Sequence, residues 1–553
     1  MVLFLFLIKN FNLNHISDAE KLEKTNYIGV KRVGYWDLTG SPIHINDSNP
    51  SKNWAYTALN YDWCSGSGTW VDPYIIEDIF IDGKNSDICI LIEDSNCYFI
   101  IRNCICTNSK NYSFYAGIKL VNTNNGRLIN NNCSFNNEDG MIIDDCSNIS
   151  VINNNLNSNS RVGIYMYDCS LNIVQDNSIN NNNYSGVLIE NSINNNFSGN
   201  ILNKCGFFLL DAISQNIDTT NLVNGKPICF YKNRIGLGPN DFKNFGQIIL
   251  FNCRDSSISN LNLSQSSFPI LLYFCKNNTI YRNIVSKNTI GINLDESDNC
   301  IISENIASYN HEAGINTINY NGGNNTIIKN SVDYNGKKGI NVFGDSNNIS
   351  GNTVNNNKLT GVSVIGINNT VSRNTANHNS EGMTLWGKNN YIFKNDINYN
   401  SEGGLIIQYS LYNKIWENNL KYNPCGIHLY DSNYTIILRN EIQSYYPKIG
   451  WRTYGIYILI SNYNNYTENL IKRATYGIYI SGSYSIFSEN RLICCETCIE
   501  ELQGSIGNVF INNICKPCPQ PVNFLLIAAI LIPSIIIVIS VIIVLVVRRR
   551  SKA

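Results

Sequence analysis

The sequence predicts an all-β chain wound as a right-handed parallel β-helix, a solenoid of ~22-residue coils, with a single transmembrane α-helix at its C-terminus. Three observations carry that prediction. A short motif recurs along the chain: Gly, then Ile, Val, Leu or Met, then a variable residue, then usually an apolar one. It stands at Gly117, Gly140, Gly163 and Gly186, and again at Gly291, Gly314, Gly339, Gly361, Gly382, Gly404, Gly426, Gly455 and Gly477. Two columns of asparagine keep register with it. One is Asn283, Asn305, Asn330, Asn352, Asn374, Asn395, Asn418 and Asn440; the other, five residues later, is Asn288, Asn310, Asn335, Asn357, Asn379, Asn400 and Asn423. Finally, the apolar runs are short and alternate in polarity, which suits strands and is too brief for helices.

The elements follow in chain order. Residues 1–53 are an N-terminal segment whose apolar run Val2–Ile8 reads either as the hydrophobic part of a secretory signal or as a buried strand. Residues 54–87, rich in aromatics and glycine, form an N-terminal cap and the first strands, since the ends of a solenoid must be covered. Residues 88–515 are the coils, roughly nineteen of them; at ~4.8 Å per strand step they make one rod of about 90 Å. Within the motif the Ile and the final apolar residue point inward, while the glycine and the variable residue face out or turn the corner. Asparagines recur at corners because they tolerate left-handed backbone angles, and their amides bond to the equivalent residue one coil away. At about 206–247 the period breaks, and NLVNGKPICFY (Asn221–Tyr231) reads as an inserted hairpin. Residues 516–523 are a proline-rich spacer. Residues 524–547 carry no charge and exceed the ~20 apolar residues that cross a bilayer. The basic tail, 548–553, then lies in the cytoplasm and the coils lie outside.

Composition narrows the partners. With 41 basic and 42 acidic side chains, nothing global recruits nucleic acid. Five His and four Met are few for a metal store of imidazoles or thioethers, whereas 19 Cys leave a thiolate site open and, being odd, leave at least one thiol unpaired within a monomer.

The coils resemble the parallel β-helix repeats of NosD and of carbohydrate-binding/sugar-hydrolysis (CASH) domain proteins. GSGTWVDPYII (Gly66–Ile76), VNGKPI from Val223, and GQIILFNC (Gly246–Cys253) are similar to segments of the same group, and the resemblance covers roughly residues 65–513. It implies the fold, and a range of activities: lyases, hydrolases, epimerases, adhesins, and for NosD itself an accessory role in maturing a copper centre.

Chemistry is expected on the outward columns of the flat sheet. Asp144, Asp145, Asp168 and Glu190 fall on successive coils and would supply oxygen ligands for Ca²⁺, the one candidate cofactor, or the paired carboxylates of a polysaccharide lyase or glycoside hydrolase. Solvated surface acids are the plainer alternative. Asp295, Glu296 and Asp298 form a second acidic run on one coil. Tyr165, Tyr167, Trp386, His428, Tyr430, Tyr457 and Tyr479 share the columns and would offer flat faces to sugars, or simply stack on their neighbours. Cys495-x2-Cys498 and Cys515-x2-Cys518 have the spacing of a four-thiolate zinc site, but outside the cell the same residues would form disulfides, with Cys494 a further partner. The function expected is a membrane-anchored, extracytoplasmic protein that binds cell-surface or environmental polysaccharide. A lyase or hydrolase on the same scaffold, and a structural stalk, adhesin or NosD-like accessory in metal-centre assembly, are the alternatives.

Overall fold

The computed structural model describes residues 34–212, 214–444 and 452–518. The Val2–Ile8 run, the apolar 524–547 stretch and the basic tail lie outside them. Among the described residues, no helix is long and apolar enough to cross a membrane. What they form is a β-solenoid of short parallel strands.

The coils make two stacks rather than one rod. The first is built on a seven-stranded sheet running from Ile43–Asn46 to Phe207–Leu210 and an eight-stranded sheet running from Cys64–Ser65 to Asn216–Ile217. The second is built on the motif strands of a sixteen-stranded sheet, from Lys226–Lys232 to Thr497–Glu501, and on a twelve-stranded sheet from Ser257–Ser259 to Val509–Ile511. Between them the chain reverses. Asn224 and Gly225, at φ 51° and 75°, make the Asn-Gly turn that joins Leu222–Val223 to Lys226–Lys232 in antiparallel pairing. A coil of the same hand that starts with the strand direction reversed must close on the opposite side of the sheet. The expected continuous rod is therefore folded into two stacks at this point.

Alternation shows the result directly. In Gln247–Phe251, Ile248 and Leu250 belong to the core of the second stack, whereas Ile249 belongs to that of the first. In Ile270–Tyr273 the pattern repeats, with Leu271 and Tyr273 in the first core and Ile270 and Leu272 in the second. The outer face of the second stack thus closes the open end of the first. Phe208 stacks on Phe268 with ring centroids 3.8 Å apart. Gln247 satisfies the edge strand: its Oε1 accepts from Phe207 N at 2.9 Å, and its Nε2 donates to Phe207 O at 2.6 Å and Phe268 O at 2.7 Å. Tyr273 donates its hydroxyl to Leu209 O. At the other end, Trp54 opens helix α1 (Trp54–Asn60), is 1% exposed, and stacks on Tyr74 at 5.1 Å, covering the first coils.

Two details of the coil differ from the sequence expectation. The ladder asparagines are buried, and the left-handed residue is the one before each of them: Glu304 at φ 55°, Arg373 at 54°, Lys394 at 54°, Glu417 at 55°. That kink turns the next side chain inward, where every polar atom of the amide finds a partner. Asn374 Oδ1 accepts from Asn352 N at 3.0 Å and Nδ2 at 2.9 Å, while its own Nδ2 donates to Asn395 Oδ1 at 3.1 Å and Ile349 O at 2.9 Å. The motif glycines do not face solvent either. A β-carbon on Gly291 would lie 2.6 Å from Gly314 O and 3.1 Å from Asn310 Nδ2, so only hydrogen fits beside the ladder.

Candidate functional site

Past the junction, the outer face of the long sheet is open, and parallel pairing fixes what stands on it. Ile406, His428, Tyr457 and Tyr479 are successive rungs of one column; Trp386, Gln408 and Tyr430 are successive rungs of the next. Parallel in-register strands bring these rings together at the spacing of the coils. His428 lies 4.9 Å from Tyr457, which lies 5.3 Å from Tyr479. Trp386 joins Tyr430 through Tyr409, at 5.8 and 5.4 Å.

Two members were missed from sequence. Tyr454 and Tyr476 stand three residues before Tyr457 and Tyr479, which strict alternation assigns to the opposite face. The strand bends at the motif glycine, and Tyr454 packs 4.5 Å from Tyr457 and 5.5 Å from Tyr476, with the Arg452 guanidinium over Tyr476. In the middle of the patch, burial pushes the His428 imidazole below its ordinary range, so the ring is neutral near pH 7, and its Nε2 has no hydrogen-bond partner among the described residues.

The other two aromatic candidates lie in the first stack. Tyr165 is 5% exposed, beneath Phe114 at 6.4 Å and the Arg161 guanidinium at 5.0 Å, and its hydroxyl donates to Glu190 Oε2 at 2.7 Å. It is a covered ring rather than an open sugar platform. Tyr167 is its half-buried neighbour at 6.4 Å. Arg161, whose place the sequence did not show, also pairs with the buried Asp139 and, at 3.3 Å, with Glu138.

The four acidic candidates fall into two columns. Asp144 is in register with Tyr167, and Tyr167 with Glu190, so a tyrosine separates the two carboxylates. Asp145 and Asp168 stand one residue later, at left-handed corners with φ 49° and 50°. Burial raises the Asp144 carboxyl, with Asp145 and Asp168 adding to the effect and Lys119 opposing it. Burial likewise raises Glu190, against the hydrogen bond from Tyr165. Among the described residues, no group of three or more His, Cys, Asp and Glu is arranged to hold a metal ion.

Asp295 of the second acidic run reaches the junction between the stacks. With Asp211, Leu209, Phe230 and Tyr273 it lines a notch of about 20 Å³, room for roughly one water. Its carboxyl is pushed up to about 7 by burial first, then by Asp211 and Glu296. Near the C-terminus, disulfides join Cys494 to Cys518 and Cys498 to Cys515. Cys494 thereby takes the place that the C-x2-C spacing had given to Cys495, whose partly buried thiol is unbonded and raised by burial.

Residues 67–221 and 316–447, more than half of the chain, match the family described as right handed beta helix region. The chain belongs to that family. Residues 215–364 match NosD, described as a periplasmic copper-binding protein, which makes the chain a NosD-like right-handed parallel β-helix protein. Its residues do not fit a copper centre. That span holds one histidine, His311, and no methionine, and its four cysteines, Cys229, Cys253, Cys275 and Cys300, are buried in the core with thiols raised by desolvation.

Among solved structures, the β-helix is similar to the Dettilon tailspike protein gp208, at 11% identity over 66% of this chain and 62% of that one, with a TM-score of 0.28. The periplasmic alginate epimerase AlgG is similar at 14% identity over 85% of this chain and 84% of that one, TM-score 0.19. PfbA, a surface adhesin of Streptococcus pneumoniae, is similar at 10% identity over 67% and 84%, TM-score 0.22. These are likenesses of fold. None of the curated proteins compared with the chain matches it.

Proposed function

We propose that this β-helix protein is an extracytoplasmic, membrane-anchored binder of polysaccharide that holds sugar on the open aromatic face of its long sheet. The carrying observation is the contact network of His428, Tyr454, Tyr457, Tyr476 and Tyr479 on three successive coils. Such rings are rigid and flat, and they present apolar surface to the C–H face of a pyranose with polar edges for its hydroxyls.

Binding is favoured over cleavage by what the face lacks. Glycoside hydrolysis uses two carboxylates flanking the bond. The strands Gly403–Leu411, Cys425–Tyr430, Tyr454–Leu459 and Tyr476–Ser481 contain no Asp or Glu, and the carboxylate that follows in the column, Glu500 in register with Tyr479, stands at one end of the rings with no second acid on these strands facing it. The address rests on the uncharged 524–547 stretch and its basic tail, and on two disulfides, which persist in oxidising compartments.

A glycan array probed with the full chain, with and without Ca²⁺, tests the reading. Binding without cleavage is expected, and Tyr457→Ala combined with Tyr479→Ala should weaken it by about ten- to a hundredfold. A variant that binds like the wild type, or a wild type silent across a broad array, overturns it.

A further inference from the structure

Beyond each motif strand of the second stack, the residue just before the next inward corner side chain takes the left-handed conformation. Asn299, Asn324, Ser346, Asn368 and Asn389 hold this place in earlier coils and Gly507 in the last. Asparagine and glycine are the residues such a backbone favours, and other side chains cost about 1–2 kcal/mol there. Yet the four intervening coils use Tyr412, Tyr434, Tyr463 and Tyr484, at φ 56°, 54°, 56° and 54°.

The four rings form one rail. Neighbouring centroids are 5.0, 5.1 and 5.2 Å apart and the planes differ by 17°, 6° and 10°. That spacing exceeds the ~3.5–4 Å of full face contact, so each ring overlaps the next like a shingle and leaves part of its face open. All four are 45–55% exposed. Gly507 in the coil beyond makes room for the last ring, since a β-carbon there would lie 2.6 Å from Tyr484. The backbone does not require tyrosine at this place, since asparagine and serine hold it in earlier coils.

Polar groups run beside the rail. Asn433 Oδ1 accepts from Asn462 N at 2.6 Å and Asn462 Oδ1 from Ser483 N at 2.7 Å. The Nδ2 donors of both amides have no hydrogen-bond partner among the described residues. Within two positions of any of the four tyrosines, Lys414 is the one charged residue. An aromatic strip with free amide donors and almost no charge complements an uncharged polyol rather than a uronate or a phosphate.

We infer that this corner is a second glycan site, a rail for a linear, uncharged polysaccharide lying along the solenoid axis with successive sugars over successive tyrosines. The inference rests on the glycan reading above and assigns it a site on a different face. Four rings at the coil spacing match a ligand that itself repeats, and they predict affinity that grows with ligand length until the rail is filled.

The test titrates the full chain with cello-oligosaccharides of increasing length and with oligogalacturonates of the same lengths. Wild type is compared with Tyr434→Asn/Tyr463→Asn and with Tyr457→Ala/Tyr479→Ala. Asparagine is chosen because the column already uses it, so the fold is expected to keep or raise its melting temperature. The expected result is a loss of about tenfold or more in affinity for the longer neutral oligomers, with their length dependence abolished, and weaker binding of the galacturonates throughout. If the asparagine variant binds like wild type while the sheet-face variant does not, the rail is wrong and the sheet-face reading stands. A drop in melting temperature with unchanged affinity makes the ladder scaffold and overturns the inference, as does tighter binding of the charged oligomers. Failure of wild type to bind any neutral glycan overturns both.

Discussion

Two stretches of one sheet put the same column of residues to opposite uses. In Gln247–Phe251 and Ile270–Tyr273 the outward residues Ile249 and Leu271 are as buried as the inward ones, because the first stack ends against them. Farther along, the outward residues Ile406, His428 and Tyr457 are half-buried and face solvent. Both stretches are parallel strands of the same sheet, and the column runs through both. What differs is whether another layer lies on the face, and the sequence responds: a continuous apolar run where two cores meet, alternation where one face is wet. A sheet face on this scaffold is either covered by a second layer or left to solvent, and the change happens along one sheet.

The largest difference is expected when the same amount of side chain is cut from both stretches. Leu271 is 0% exposed, and Leu271→Ala should cost about 2–5 kcal/mol; Ile406→Ala, at the equivalent rung of the open face, should cost about 1 kcal/mol or less. Because solenoids need not unfold in one step, hydrogen exchange is the better readout, with protection lost first at Phe207–Leu210. Equal effects of the two substitutions would sink the two-stack interpretation.

A smaller effect is expected from the polar seal. Gln247 makes three hydrogen bonds to the backbone around the edge strand, so Gln247→Ala leaves the Phe207 N–H and carbonyl unsatisfied within a buried junction. The cost should be about 1–3 kcal/mol, confined to the first stack. Unchanged exchange of the Phe207 amide would show that the seal contributes nothing.

How much of this was legible depends on range. The coil was legible because its signals are local and repeated: the motif, the amide columns and the inward Ile and Leu all lie within ~22 residues. The ladder geometry was half legible. Asn-to-Asn bonding between coils is as expected, but the left-handed residue is the neighbour, such as Glu304 before Asn305, and nothing in a list of corner residues says which of the two turns inward. The Asn224-Gly225 hairpin was visible, whereas its consequence depends on combining strand reversal with the hand of the coil, a property of the whole fold. Register decided the candidate sites. It placed Tyr167 between Asp144 and Glu190, and Cys494 rather than Cys495 against the following coil. The bend at the motif glycine hid Tyr454 and Tyr476 from an alternation rule.

The border between the closed and open stretches carries a titrating group, which gives the mildest but most diagnostic test. Asp295 has an ordinary carboxyl value of 3.8 and is held near 7 in the fold by burial, with Asp211 and Glu296 adding repulsion. A carboxyl raised by folding means that the folded state accommodates the neutral acid better than the anion. Its contribution is therefore fully present below pH ~4 and is lost as pH rises through about 7, where folding must tolerate a half-buried charge. The difference between 3.8 and about 7 bounds the penalty at about 4 kcal/mol, reduced by the partial opening of the notch to solvent. Asp295→Asn keeps the shape and removes the ionisation. The variant should match wild type near pH 4 and melt about 2–4 °C higher near pH 8. A difference in melting temperature that stays constant from pH 4 to 8 would mean that Asp295 acts through packing alone, and that the junction is wetter than the contacts of Tyr273 and Phe230 around it imply.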